Sequence, residues 1–198
     1  VDSLGVPFTR YLFNAIFTTV AGTAASLLLA LITAYPLAKS IIKGVKILNS
    51  VLVYAMLFHN ETMSMVRFLV LSKLHMIDSY WAVILPPLAS TMCIFLLCQF
   101  MRNSIPDSVL EAARIDGAGE FRILFSIVAP SVKAGWMTAL IFTFQAYWNT
   151  GSSGYIYTEE LKHVADVMGT IGASGITRAG TGMAVTLILM IPTVIVFL

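Results

Sequence analysis

The sequence predicts an all-α membrane protein, a polytopic transmembrane helical bundle, from its composition and the placement of its charges. Of 198 residues, 58% are hydrophobic and 11% are charged, whereas soluble domains carry about 25% charged residues. The charges cluster in short stretches that separate long uncharged runs. About 20 apolar residues are enough to cross a hydrocarbon core of about 30 Å as a helix. The net charge of +2 is too small to indicate a nucleic-acid partner.

Five runs of the chain are predicted to span the membrane. In chain order they are residues 11–38, 47–71, 79–101, 134–157 and 179–198. The second run is interrupted by His59, Asn60, Glu61 and Arg67. Two interpretations of this interruption remain open: the polar residues face a cavity or the bundle interior, or the helix ends near Phe58 and they lie in water.

The first run carries a packing signal and is followed by an orientation signal. Small side chains at Ala21, Gly22, Ala25 and Ser26 form two overlapping small-xxx-small pairs, which predict close helix packing. The loop that follows contains three lysines, Lys39, Lys43 and Lys46. Since short basic loops stay in the cytoplasm, alternation of the spans places residues 104–130 in the cytoplasm and residues 158–178 outside. The latter segment is polar, and its glycines are expected to mark turns and a helix start.

The stretch from Ser104 to Pro130 is the one long island of charge between strongly apolar runs. Ser104 and Asp107 have capping-box spacing, and Pro106 suits the first turn of a helix. Periodicity places Val109, Ala112, Ala113 and Asp116 on one small-residue side and Asp107, Glu111 and Arg114 on a charged side. Gly117 and Gly119 are predicted to end this helix and turn the chain. The small side would allow another protein to approach the helix backbone closely.

The same stretch resembles the cytoplasmic loop of ABC importer permeases. Glu111-Ala112-Ala113, Gly117, Ile127 and Pro130 stand at the spacing of that family's signature, with Ala129 where leucine is usual. The longer string EAARIDGAGEF is similar to the carbohydrate branch, which includes maltose-type and oligosaccharide permeases. The resemblance implies a type I importer permease fold across residues 1–198 as a single transmembrane domain, with a coupling loop at about residues 103–125. Because that fold has a six-helix core, the first helix and the C-terminal end are expected to be missing.

The resemblance also implies the partners and the site residues. ABC ATPase subunits, which hold ATP and Mg²⁺, are expected to grip the loop, and the permease chain itself is expected to bind no cofactor. A second permease subunit (as a heterodimer), an extracytoplasmic solute-binding protein, membrane lipid and a sugar substrate complete the expected set. The expected location is the bacterial or archaeal cytoplasmic membrane, crossed several times. The coupling residues are expected to be Glu111, Ala112, Ala113, Arg114, Asp116, Gly117, Ile127 and Pro130.

Polar and aromatic side chains at membrane depth are the candidates for a sugar path, since they can hydrogen-bond hydroxyl groups or stack on sugar rings. They are Asn60, Glu61, Gln145, Trp148 and Asn149. Trp148 has a second interpretation as an anchor at the membrane interface.

Other functions are weighed against sugar import. A permease for a different small solute has the same signature, and a membrane scaffold or channel would not require a coupling loop. A membrane enzyme would need a metal cluster or a nucleophile–base pair. Cys93 and Cys98 do not face one way on a helix, and His59, His75 and His163 lack ligand spacing, so no such site and no disulfide is predicted.

Overall fold

A computed structural model describes residues 6–39, 44–57, 64–152, 154–173 and 179–197. Within these ranges all regular secondary structure is helical. The α-helices are α1 (Phe8–Ala38), α2 (Val45–Met56), α3 (Ser64–Lys73), α4 (Tyr80–Leu88), α5 (Thr91–Ser104), α6 (Asp107–Ile115), α7 (Glu120–Ile123), α8 (Ala129–Ser131), α9 (Lys133–Trp148), α10 (Val164–Ala173) and α11 (Ala179–Phe197). A π-helical turn joins α7 to α8 at Leu124–Val128, and a 3₁₀ turn precedes α10 at Glu159–Leu161.

The chain forms two compact units, which we name by their position in the sequence. The terminal unit comprises Val1–Gly22, Ser64–Pro87 and Phe144–Leu198, and the middle unit comprises Thr23–Met63 and Leu88–Thr143. The first half of α1 therefore belongs to the terminal unit and its second half to the middle unit. The predicted coupling loop lies wholly in the middle unit.

The middle unit has an apolar core to which α1, α5, α6 and the segment after α7 all contribute. Its fully buried members include Leu31, Leu97, Met101, Ile123 and Val128. Helices α5 and α9 approach closely here, since a Cβ added to Gly135 would lie 2.9 Å from the ring of Phe100. Because lipid tails are as apolar as these side chains, van der Waals packing and not removal from water holds such a core together, and the core fixes where the loop begins and ends.

The terminal unit has a smaller apolar cluster formed by Tyr11, Ala15, Val164 and Val167. The predicted close packing along α1 is found here at Gly22, where an added Cβ would lie 2.4 Å from the Tyr147 ring. A larger residue at this position would therefore push against a buried aromatic side chain.

The helices differ from the sequence prediction at three places. The run at 79–101 is two helices rather than one, because Pro86 and Pro87 supply no N–H groups and the hydroxyl of Ser90 accepts from Cys93 N at 3.3 Å to start α5. The run at 134–157 ends as a helix at Trp148. The glycines of the polar segment 158–178 do not all mark turns or a helix start, since Gly169 lies inside α10.

Helix length and composition identify the candidate membrane crossings. In the described ranges, α1 alone is long and apolar enough to cross a membrane, and the count rises to three if each of two bent helix pairs is one span. The pairs are α4 with α5 and the helices on either side of Val132, and the shorter apolar helices are Val45–Met56 and Gly182–Phe197. Five spans remains a prediction. The second predicted run contains two helices, with α2 ending at Met56 and α3 starting at Ser64.

Candidate coupling site

Helix α6 begins at Asp107, and its start differs from the predicted capping box. Ser104 is the last residue of α5, and Ile105 is extended with φ −121° and ψ 110°. Pro106 occupies the N-cap position with ψ 142° and no side-chain cap. The capping-box prediction is wrong because a residue before proline avoids the helical region, which separates Ser104 from α6.

Helix α6 ends in a Schellman motif, as the glycine at position 117 predicts. Gly117 has φ +80°, its N–H donates to Arg114 O at 3.0 Å, and the N–H of Ala118 donates to Ala113 O at 3.0 Å. A left-handed residue at this position lets the last carbonyls of the helix find donors. The predicted stop is therefore confirmed.

The two faces of α6 differ from the prediction. Leu110 and Ala113 are buried in the core of the middle unit, whereas Glu111 and Ala112 are exposed. Ile115 is 86% exposed, at the centre of the face opposite the core. Ala113 therefore anchors the helix within its own chain, and the prediction that Ala112 and Ala113 share one free face is wrong. Adjacent residues on a helix are rotated by about 100°, so the pair falls on either side of the boundary.

Arg114 and Glu120 join the end of α6 to the start of α7. Arg114 Nε donates to Glu120 Oε1 at 2.8 Å, and the hydroxyl of Tyr35 on α1 donates to Glu120 Oε2. The hydrogen bond to the Glu120 carboxylate raises the pKa of Arg114. Arg114, three residues from Glu111 on the same helix, is thus engaged by Glu120, and the Glu111 side chain is exposed.

Lys39 joins the other end of α6 to α1. Its ammonium donates to the carbonyl oxygen of Ile105 and, at 2.9 Å, to Asp107 Oδ1. The Lys39 side chain is 6% exposed, while that of Asp107 is 78% exposed. Arg102 also donates to Leu37 O at 3.0 Å, so cations satisfy carbonyl groups at the C-terminal ends of both α1 and α5.

The remaining signature positions lie after α7, where the helix widens and turns. Ile127 lies in the π-helical turn and packs against the middle-unit core. Pro130 is exposed in α8. Because proline lacks an N–H and crowds the preceding turn, a widened π-turn just before it accommodates the ring. The helix axes on either side of Val132 differ by 85°.

The structure describes three of the five residues predicted to line a sugar path. Asn60 and Glu61 lie outside the described residues. Gln145, Trp148 and Asn149 share one face at the end of α9, where Gln145 is half-buried and Asn149 is exposed. Trp148 stacks on Phe144 with ring centroids 5.7 Å apart and packs against the apolar cluster of the terminal unit. Its observed contacts are therefore those of a packed side chain.

A buried polar cluster in the terminal unit was not predicted. Asn14 Nδ2 donates to Glu160 O at 2.8 Å and to Lys162 O at 3.1 Å, and Asn14 Oδ1 accepts from the Tyr80 hydroxyl at 2.8 Å. Asn14 is fully buried. The sequence holds one signal for it, because Asn14 and Thr18 recur four residues apart in an otherwise apolar run.

His163 belongs to the same cluster. Its Nε2 lies 2.9 Å from Thr18 Oγ1, whose proton is donated to Asn14 O at 2.8 Å. The hydroxyl must then accept from an Nε2–H, a tautomer that we assign from the hydrogen-bond network. Nδ1 is buried without a partner among the described residues. Burial lowers the pKa of His163 below its ordinary value, although the nearby Asp166 carboxylate opposes this shift.

Two carboxylates shape the loop around this cluster. Asp166 accepts from Ser152 N at 3.0 Å and from His163 N at 3.1 Å. Asp78 accepts from Tyr157 N at 3.0 Å and Thr158 N at 2.9 Å. Hydrogen bonds from Thr158, its side chain first, lower the pKa of Asp78. Among the described residues, no group of three or more His, Cys, Asp or Glu side chains is arranged to hold a metal ion.

Comparisons with known proteins point to one family. A family model described as "Binding-protein-dependent transport system inner membrane component" matches residues 8–198. The polygalacturonan/rhamnogalacturonan transport system permease protein YtcP of Bacillus subtilis is 35% identical over 151 residues, which cover 76% of this chain and 52% of that protein. The sn-glycerol-3-phosphate transport system permease protein UgpE of Yersinia enterocolitica is 30% identical over 202 residues, covering 100% of this chain and 72% of that protein.

A solved structure gives the same fold. It is the crystal structure of a bacterial ABC transporter involved in the import of the acidic polysaccharide alginate, with a TM-score of 0.84 and 24% sequence identity over 96% of this chain and 72% of that one. The likeness establishes the importer permease fold. The chain spans about half the length of YtcP.

Proposed function

The chain belongs to the family of binding-protein-dependent transport system inner membrane components, and on that basis we propose that it is the permease subunit of an ATP-driven ABC importer. In this role it translocates a sugar or oligosaccharide across the cytoplasmic membrane by alternating access. The chain is not itself the ATPase, and the energy comes from ATP and Mg²⁺ on partner subunits.

The observation that carries this proposal is the division of α6 into a buried and a free face. Leu110 and Ala113 hold the helix in the core, while Ile115, at 86% exposure, stands on the opposite side. The free side of an anchored surface helix is available for a helix-in-groove contact with another protein, and Ile115 supplies an apolar side chain for that contact. Glu111 and Asp116 on the exposed surface add charge that would orient that contact.

The signature residues would then divide into those that touch the ATPase and those that shape the loop. Glu111, Ala112 and Asp116 would touch the ATPase, and Gly117 shapes the end of α6. Arg114, Ala113 and Ile127 would act inside the chain by fixing α6 and α7 in place. Pro130 marks the bend that follows the loop. The coupling loop so defined is about residues 103–125 of a single permease domain over residues 1–198.

A carbohydrate is the proposed solute class, supported by the similarity to YtcP, a polygalacturonan/rhamnogalacturonan permease, and by the resemblance of EAARIDGAGEF to the carbohydrate branch. UgpE is named for sn-glycerol 3-phosphate, so a phosphorylated polyol is the second candidate. Gln145 and Asn149 at the end of α9, together with Asn60 and Glu61, would hydrogen-bond solute hydroxyl groups. Trp148 would support this surface through its stack on Phe144.

The whole importer would contain two ATPase subunits, a second, different permease subunit and an extracytoplasmic solute-binding protein. The permease chains would cross the cytoplasmic membrane several times and contact lipid. Mass spectrometry of the complex purified from its native membrane through a tag on the full chain would identify these partners.

The experiment that tests this function is uptake by that complex in sealed vesicles. The solute panel is radiolabelled oligogalacturonide, maltose and sn-glycerol 3-phosphate, with a radiolabelled dipeptide as the non-carbohydrate control, and ATP present or absent. The proposal expects ATP-dependent uptake of a carbohydrate. Uptake of glycerol phosphate alone would favour the second candidate, and uptake of only the dipeptide or of nothing would refute sugar import.

A further inference from the structure

We propose that Lys39 and Tyr35 are positioning residues that make α6 and the C-terminal end of α1 move as one body, so that displacement of α6 is passed to α1. The inference rests on the proposed function, in which an ATPase displaces α6. It assigns roles to Tyr35 on α1 and to Lys39 directly after it, both outside the signature loop.

The first tie lies at the start of α6. Lys39 follows α1, and its ammonium bridges the carbonyl of Ile105 and the carboxylate of Asp107. These two residues flank Pro106, the joint between α5 and α6. Since the Lys39 side chain is 6% exposed, its charge is satisfied by partners that belong to this joint. A buried ammonium that loses them is left without compensation, so the contact resists separation.

The second tie lies beyond the other end of α6. The Tyr35 hydroxyl donates to Glu120 Oε2, and the same carboxylate accepts from Arg114 Nε at 2.8 Å. Tyr35 is 4% exposed, whereas Arg114 and Glu120 are on the surface. A buried hydroxyl on α1 thus holds the ion pair that closes the Gly117 turn.

Two ties at opposite ends constrain a helix more than one does. Leu110 and Ala113 hold the middle of α6 in the core, and the contacts of Lys39 and Tyr35 add restraints before its first turn and after its last turn. Tyr35 and Lys39 are four residues apart, so both ties start from one face at the end of α1. The exposed face of α6, with Ala112 and Ile115, takes no part in either tie. Docking of a partner and transmission of its movement therefore depend on different side chains.

The test uses variants that remove one tie without altering the docking face. Tyr35→Phe deletes only the hydroxyl, Lys39→Met keeps an unbranched stem without the charge, and Lys39→Arg keeps the charge. Asp107→Asn weakens the same tie from the exposed side. Lys46→Met is the matched control, since Lys46 is an exposed lysine at the start of α2. Each is measured in the purified complex for ATPase co-purification, ATP hydrolysis, melting temperature and uptake of the panel solute that the wild-type complex transports.

The proposal expects the ATPase to co-purify and hydrolyse ATP in every variant. Uptake per ATP should fall about two- to tenfold in Tyr35→Phe, the range that loss of one hydrogen bond produces, and at least as far in Lys39→Met, which loses both contacts of the ammonium. It should fall less in Asp107→Asn and stay near wild type in Lys39→Arg and Lys46→Met. Arginine rescue and unchanged hydrolysis would not result from a general loss of stability.

Two results would overturn the inference. One is unchanged uptake per ATP in both Tyr35→Phe and Lys39→Met. The other is loss of uptake in step with loss of ATPase co-purification, which would make these residues part of docking. Failure of the proposed function looks different, because the wild-type complex itself would then show no ATP-dependent uptake of any panel solute.

Discussion

Gly117 is the residue on which the end of α6 most depends. Its φ of +80° is a conformation that costs most other residues about 1 kcal/mol or more. An added Cβ would meet nothing within 4 Å, so the cost of substitution is conformational and not steric. The backbone N–H groups of the Schellman motif point correctly only while this residue stays left-handed.

We therefore predict that Gly117→Ala lowers the free energy of unfolding by about 1 kcal/mol and weakens capture of the ATPase. Gly119→Ala is the matched control, because Gly119 has φ −71° and equally open surroundings. Melting temperature and ATPase pull-down are the measurements. Equal behaviour of the two variants would show that the left-handed residue does not shape this contact.

His163 is expected to make the stability of the fold depend on pH. Its folded-state pKa is lowered below the ordinary 6.5 by burial, so the unfolded chain takes up a proton before the folded chain does. Stability should be full above about pH 6.5 and should fall as the pH drops toward the folded-state pKa.

The measurement is the melting temperature of the purified protein from about pH 8 to about pH 5. Wild type should lose stability on acidification, and His163→Gln, whose amide can still donate to Thr18, should show a flatter profile. Identical profiles for the two proteins would mean that His163 does not titrate in this manner.

For α6, local sequence rules predict the helix and its end, but periodicity does not predict which side is buried. The helix and its glycine stop follow from local rules, since proline and glycine set backbone angles within a few residues. The pattern could not decide which side of Ala113 is buried, because that depends on Leu110 and the core of the middle unit. The two adjacent alanines should consequently respond differently to the same enlargement.

Ala112→Leu should leave the melting temperature nearly unchanged and reduce ATPase co-purification, because Ala112 is exposed on the proposed docking side. Ala113→Leu should lower stability by about 1–3 kcal/mol, as overpacking does in a filled core. Thermal unfolding and pull-down of the two variants side by side provide the test. If Ala112→Leu binds the ATPase normally, the docking side is misassigned.

At the scale of the whole molecule, the sequence was sufficient for the helical class and the signature loop. Composition fixes the first, and residue spacing fixes the second. The sequence did not predict the tertiary contacts. Lys39 contacts Asp107, which is 68 residues away in the sequence, and Asn14 contacts Lys162, which is 148 residues away. No local pattern pairs such residues, because the contacts depend on how helices pack. The break at Ser90 was missed because a serine cap inside an apolar run is a weak signal beside the hydrophobic pattern.

The predicted orientation in the membrane is tested by single cysteines in a protein whose Cys93 and Cys98 are serine. Probes at Lys46 and Gly119 should react with a membrane-impermeant reagent only from the cytoplasmic side, and a probe at Glu160 only from outside. All three positions are exposed, so access to the thiol is not limited by packing. Labelling of Gly119 from outside would invert the topology and remove the coupling role of α6.

The proposed function requires an ATPase on the free face of α6, and site-specific photo-crosslinking detects that contact. A benzoylphenylalanine at Ile115, 86% exposed, is compared with one at Tyr157, 60% exposed on the predicted outer side. Illumination of the native complex should join Ile115, but not Tyr157, to the ATPase subunit, as identified by mass spectrometry. A crosslink from Tyr157 and none from Ile115, in a complex that still hydrolyses ATP, would show that the ATPase does not bind α6.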